Sequence, residues 1–352
     1  MRQCFSIGLF ALLVLSLPGC GGFRDTKPQL PGNLDTLCMP DYASGFEMYR
    51  YDSSTLLRIV NPWQGADSVS QWVFLSRDDE KPPKGFAGET IDVPVRRIVC
   101  MSSSYVAFLE ALGADSTICA ISGTGYIWSD KVRNRIAGGE IAEAGFDNSL
   151  NFEKLVALKP DVVFLYGLTG KNAVTDKLHE LGLKTVYIGD YVENNPLGRA
   201  EWITVFGEFT GRRELARTLF DSISNECNRA KALVSGVEKR PEVMLNAPWQ
   251  DSWFVPGDRS YMVRLLEDAG GNYACRGVDS DQSRPISTET AFVAASQSDF
   301  WLSPGTATSL AELNAMNPRF GSIPPVRNGN VYNNNARTTP EGGSDFWESG
   351  SA

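Results

Sequence analysis

Aromatic, hydroxyl and charged side chains recur in short Gly- or Ser-bounded loops that directly follow apolar runs. Arg97 to Met101 leads into Ser103 and Tyr105. Ile118 to Ile121 leads into Tyr126 and Trp128, and Asp161 to Leu165 leads into Tyr166. Glu242 to Leu245 leads into Trp249, Trp253 and Arg259, and Arg337 lies in a late polar loop. Amphipathic aromatics offer flat apolar area with a polar tip, and an arginine fork suits a carboxylate or phosphate. This is the chemistry of holding a large, flat ligand with a few polar handles. Catalysis is poorly served. There is no Gly-x-Ser-x-Gly elbow. Gly123-Thr124-Gly125 opens a dinucleotide fingerprint, but Trp128 stands where the third glycine belongs. Gly170-Lys171 hints at a phosphate loop, but Leu165 and Asn172 occupy the flanking Gly and Ser/Thr positions. The single histidine, His179, sits in a helical pattern beside Leu178 and Leu181 and is expected to face solvent. The chain is therefore expected not to be an enzyme and to carry no cofactor. A hydrolase working with carboxylates alone is the rival reading.

The elements that must position these loops begin after a leader. Phe5 to Leu17 is almost wholly apolar, shorter than the ~20 residues of a spanning helix. Leu17-Pro18-Gly19-Cys20 follows and looks like a lipoprotein cleavage signal, with Cys20 as the lipidated first residue of the mature chain. Pro18 is unusual in such a signal. Residues 1–20 read as signal peptide and 21–39, rich in Gly, Pro and polar residues, as a tether. The expected location is the periplasm, held at the cell membrane by a lipid anchor.

The chain has 352 residues and a net charge of -9. That length suits about two domains, and the acidic balance argues against nucleic acid as a partner. Of seven cysteines, Cys4 leaves with the leader and none forms a Cys-x-x-Cys pair, so no zinc or redox motif is indicated. Residues 40–94 alternate apolar and polar positions between turn signals and predict a small antiparallel meander. From 95 to 197, short apolar runs alternate with helical patterns, which predicts a parallel sheet covered by helices. Residues 198–240 predict a connecting helix, weakened at Gly207 and Gly211. The strand–helix alternation returns over 241–336, leaving 337–352 as a C-terminal segment. The expected fold class is α/β, with two Rossmann-like lobes joined by a single long helix and an N-terminal β meander. The stretch Phe152-Glu153 to Leu165 parallels Thr288-Glu289 to Leu302. Each has an early Glu on a helix, then an Asp and a buried strand, so the lobes repeat one design.

These residues resemble the periplasmic binding proteins that serve ABC importers for iron–siderophores, haem and cobalamin. The resemblance covers roughly 95–336. Its most specific piece is Asn151-Phe152-Glu153-Lys154-Leu155-Val156-Ala157-Leu158-Lys159-Pro160-Asp161, supported by Arg97-Ile98-Val99, Leu112-Gly113 and Gly270-Gly271-Asn272. It implies a monomeric, non-enzymatic carrier that works with a permease dimer. It also implies that Glu153 and Glu289 dock on permease arginines, a role suited to ionised carboxylates in helical first turns. With no histidine or cysteine cluster to hold a bare transition metal, the expected ligand is a preformed chelate: an iron–siderophore or cobalamin, or haem. A surface scavenger without a transporter is the alternative. The chain departs from the family in its N-terminal meander and in an ending without further helical pattern, which reads as a shortened or truncated terminus.

Overall fold

The computed structural model describes residues 35–146, 148–167, 170, 173–249 and 252–348. The leader, Cys20 and the tether up to residue 34 lie outside the described residues. The first body is a five-stranded sheet of β1 (Asp35–Cys38), β2 (Phe46–Tyr51), β3 (Ser54–Val60), β4 (Ser70–Ser76) and β5 (Glu89–Asp92), in that spatial order. The first four strands form the antiparallel meander. β5 pairs parallel to β4, because the chain crosses over before entering the next sheet.

Lobe one follows as β6 (Ile98–Cys100), α1 (Ser103–Ala111), β7 (Ile118–Ile121), α2 (Asp130–Ala137), β8 (Ala142–Glu143), α3 (Phe152–Leu158), β9 (Val162–Leu165), α4 (Ala173–Glu180) and β10 (Thr185–Tyr187). Its strands pair in parallel in the order β10-β9-β6-β7-β8. The connector is α5 (Pro196–Glu201), α6 (Ile203–Thr210) and α7 (Arg213–Val234). Lobe two comprises β11 (Glu242–Leu245), β12 (Pro248–Trp249), β13 (Ser252–Val255), α8 (Tyr261–Asp268), β14 (Asn272–Tyr273), β15 (Arg284–Ser287), α9 (Thr288–Ser296), β16 (Phe300–Leu302), α10 (Leu310–Met316), α11 (Pro324–Arg327) and β17 (Val331–Tyr332). Its parallel sheet runs β14-β11-β16-β17, and β12-β13-β15 form a small antiparallel sheet beside it.

The connector is three helices rather than one. All eight residues of α6 are buried, and Trp202, Phe206 and Phe209 pack in one core with Phe46, Leu57 and Val73 of the first sheet and with Tyr105 and Phe164 of lobe one. Gly207 is required there by contact, since a Cβ would come within 2.5 Å of Ala216 Cβ on α7. The N-terminal sheet and lobe one thus share a core, and the long amphipathic α7 runs across to lobe two. Its far end is held by Lys231 Nζ to Asp268 Oδ2 at 2.8 Å.

Three buried glutamates of the connector region clamp the N-terminal sheet. Glu201 accepts from the N–H groups of Asp41, Tyr42 and Ala43, each at 2.9 Å. Glu193 accepts from Ser44 N, Gly45 N and Trp202 Nε1. Glu208 meets Thr55, Arg77 and Arg213. Burial pushes the Glu201 carboxyl above its ordinary range and outweighs the three N–H donors that pull it down. A raised carboxyl binds its proton in the folded state first, so stability falls as pH rises through the window above the ordinary range. Glu201 therefore adds stability as pH drops from neutrality toward the ordinary carboxylate range. The gain in melting temperature over that interval is expected to be smaller in Glu201→Gln than in wild type; an equal gain would contradict the assignment.

The internal repeat is visible in hydrogen bonds. Asp161 donates its N–H to Arg97 O at 2.8 Å and accepts from Arg97 N at 2.9 Å. Asp299 does the same with Glu242, at 2.8 and 2.9 Å. Each Asp ties the edge of its strand to the first strand of its lobe. Asn151 caps α3 and Ser287 caps α9, each through the third backbone N–H onward. The last segment ends in a one-turn helix, α12 (Asp345–Glu348), where the sequence indicated none. It docks on lobe one through the Glu348 carboxylate, which accepts from Trp128 N and Ser129 N.

Candidate ligand cleft

A cleft of about 670 Å³ opens between the lobes. Its walls come from the carboxyl ends of β9, β10 and β11, where parallel α/β sheets hold their ligands. Lobe one supplies Tyr166 and Tyr191, whose rings lie 4.3 Å apart and tilted by 32°. Lobe two supplies Asn246, Ser260, Tyr261 and Met262. The connector supplies Arg199. The N-terminal sheet supplies Asn61, Trp63, Gln64 and Gly65.

Arg199 joins these parts. It projects from α5, and its Nε lies 3.7 Å from Oδ2 of Asp190, a fully buried carboxylate just after β10. Its guanidinium sits 5.5 Å from the ring centroid of Tyr261 on lobe two, in cation–π range. Burial pushes Asp190 up, and the Arg199 charge opposes that shift. Burial also pushes the Tyr166 phenol up to about 12, with Asp190 adding to the effect. Tyr166 is therefore a neutral hydroxyl at physiological pH, able to donate and accept. The cleft offers aromatic faces, hydroxyls and amides, the buttressed cation of Arg199, and the carboxylates of Glu193 and Asp281. Among the described residues no group of three or more His, Cys, Asp and Glu is placed to hold a metal ion.

Of the nine residues the sequence nominated for ligand, Tyr166 lies on the cleft wall. Tyr105 does not: it is fully buried, and its hydroxyl donates to Leu165 O and Ile188 O, which makes it a core residue spanning β9 and β10. Trp253 is likewise fully buried, with Nε1 donating to Leu245 O and its ring against Trp301. Ser103 begins α1 and is absent from the cleft lining. Tyr126 is exposed, edge-on to Phe146, and its backbone is covered by Gly343 of the C-terminal segment. Trp128 lines a separate hollow of about 280 Å³ with Glu110 and Glu348. The C-terminal segment thus closes the loop after β7, which the strand-end rule alone would leave open. Arg259 is exposed and pairs with Asp279 at 3.2 Å, and Arg337 pairs with Asp345. Trp249 forms β12; its side chain lies outside the described part of the structure. Glu153 and Glu289 are both exposed in the first turns of α3 and α9. His179 is exposed, as expected, but its Nε2 also lies 2.7 Å from Thr185 Oγ1 and 3.3 Å from Glu89 Oε1, at the seam with the N-terminal sheet.

The sequence reading passed over Trp63, Tyr191, Arg199 and Tyr261. Tyr191 carried the same signal as the nominated residues, an aromatic just after the strand Thr185 to Tyr187. Trp63 sits in Asn61-Pro62-Trp63-Gln64-Gly65, a loop texture like those singled out. Arg199 and Tyr261 lie inside helices, where no local pattern points to a cleft.

The match to known proteins agrees with this architecture. A family model described as periplasmic binding protein matches residues 98–338, well over half of the chain. A lipoprotein of uncharacterized function from Methanocaldococcus jannaschii is 25% identical over 384 aligned residues, covering 99% of this chain and 89% of its own. The solved periplasmic haem binding protein of Vibrio cholerae superposes with a TM-score of 0.58 at 18% identity, over 72% of this chain and 95% of that one. The periplasmic vitamin B12 binding protein of the same organism gives 0.51 at 14% identity, over 69% and 89%. Among the described residues no helix is long and apolar enough to cross a membrane. From the matched segment and the two-lobed fold, the chain belongs to the periplasmic binding protein family.

Proposed function

We propose that this protein is the substrate-binding lipoprotein of an ABC importer, capturing a metal chelate between its lobes and delivering it to a permease dimer. The observation that carries the reading is the aromatic inter-lobe cleft with Arg199 in its wall. Its volume of about 670 Å³ falls in the range of small-molecule sites. Its donor set suits a ligand that brings its own metal already coordinated. Similarity to solved haem and vitamin B12 binding proteins supports the same ligand classes. Anchoring through Cys20 at the membrane is supported by relatives named as lipoproteins. Glu153 and Glu289, exposed on equivalent helices of the two lobes, are the docking carboxylates in this reading. With α7 as a stiff strut, the expected lobe movement on binding is small.

Native mass spectrometry of the mature chain mixed with cyanocobalamin, a ferric siderophore panel and haem tests the reading. A one-to-one adduct with one of these classes is expected. Absence of any adduct would overturn chelate capture. An adduct together with unchanged uptake in cells lacking the permease would favour a scavenger instead.

A further inference from the structure

We propose that the N-terminal sheet is a working wall of the ligand cleft, and that Trp63 is its ligand-contacting, specificity-determining residue. The inference rests on the capture reading above and concerns a part of the chain, residues 35–92, that lies before the family-matched segment.

The loop between β3 and β4 lies over the carboxyl ends of β9 and β10. Pro62 lies against Gly189, where a Cβ would come 3.1 Å from Pro62 Cα. Trp63 packs edge-on to Tyr187, ring centroids 5.1 Å apart. It also covers Gly170, where a Cβ would come 3.1 Å from the indole. Gln64 N donates to the Tyr191 hydroxyl at 3.3 Å. Below the loop, Gln71 pins β4 to the edge of lobe one. Its amide donates to Thr185 O at 2.8 Å and accepts from Tyr187 N at 2.9 Å. These bonds fix the loop as part of the lobe-one body, so it presents a preset surface to the cleft and needs little ordering when ligand arrives.

That surface is chemically specific. Trp63 is half-buried and lines the cleft together with Tyr166 and Tyr191. Three neighbouring rings with Arg199 in the same cavity suit a planar conjugated ligand with an anionic edge. The rings supply stacking and edge-on contact, and the guanidinium meets the charge. A tryptophan in a partly enclosed pocket, fixed by its neighbours, is the residue type that most often dominates a binding site.

Calorimetric titration with haem, a ferric catecholate and cyanocobalamin tests this, comparing wild type with Trp63→Ala, Trp63→Phe and Trp72→Phe. Trp72 belongs to the same sheet but lies under Arg58, away from the cleft, so its replacement controls for sheet stability. Trp63→Phe keeps a ring against Tyr187 and decides the matter if Trp63→Ala does not fold. For the chelate that wild type binds, Trp63→Ala is expected to bind about tenfold or more weakly. Trp63→Phe should be intermediate and Trp72→Phe unchanged. Wild-type affinity in folded Trp63→Ala, or in Trp63→Phe where the alanine variant is unfolded, would overturn the inference and leave chelate capture standing. No binding to wild-type protein would overturn both.

Discussion

Replacing Glu153 and Glu289 together by alanine leaves chelate affinity unchanged and lowers permease-dependent uptake by about tenfold or more. The expectation follows from position. Both carboxylates sit in first turns, on helices capped by Asn151 and Ser287, where negative charge is favourably placed. Both are exposed, and neither is among the residues that line the cleft. Exposed charges of this kind set registration and encounter rate with a complementary partner more than they set affinity. Two of them, one per lobe and related by the internal repeat, would suit a permease built from two copies, as proposed above. Each single replacement should cost less than the pair. Uptake assays in cells carrying the matching permease, with binding measured on the purified variants, check this. Unchanged uptake in the double variant would contradict docking through these residues.

Arg199→Ala is expected to damage both stability and binding. The side chain is the neighbour of fully buried Asp190 and the cation over Tyr261. Removing one partner of a buried pair leaves the other uncompensated, at a typical cost of ~3 kcal/mol or more. Asp190, already pushed up by burial, then answers the loss by holding its proton to higher pH, which limits the damage near neutrality. The variant's stability should therefore rise more steeply on acidification than that of wild type. Binding of an anionic chelate is expected to weaken by about 2 kcal/mol, the scale of one hydrogen bond to a charged group. Arg199→Lys keeps the charge but not the planar fork over Tyr261, so its binding should be intermediate. Urea midpoints at several pH values and titration calorimetry separate the two effects. Wild-type affinity in a folded Arg199→Ala protein would remove Arg199 from the site.

The two lobes were readable because their strands and helices carry strong local signals. The repeat around Glu153 and Glu289 was readable because Asp161 and Asp299 do the same hydrogen-bonding work in each lobe. The three-part connector was less so. Gly207 reads as a helix weakness in one dimension, whereas in space it is the contact that lets α6 and α7 touch. The cleft was legible only in part. The strand-end rule selects loops, but it cannot say which of them another segment covers. Tyr126 and Trp128 follow a strand as Tyr166 does, yet Gly343 and Glu348 occupy their surroundings. Tyr105 and Trp253 have the same composition signal as Tyr191, and only tertiary packing turns them inward. Trp63 reaches the site through the pairing of β4 beside lobe one, a long-range relation that no local pattern carries.

Capture of ligand in the inter-lobe cleft can be read from a tryptophan-fluorescence titration of the mature chain with cyanocobalamin, ferric siderophores and haem, corrected for absorption by the ligand. Saturable quenching by one class is expected, with Trp63 in the cleft wall as the reporter and the quenched component lost in Trp63→Phe. Saturable quenching that survives unchanged in Trp63→Phe and in Arg199→Ala would place the ligand elsewhere on the molecule and contradict capture in the cleft.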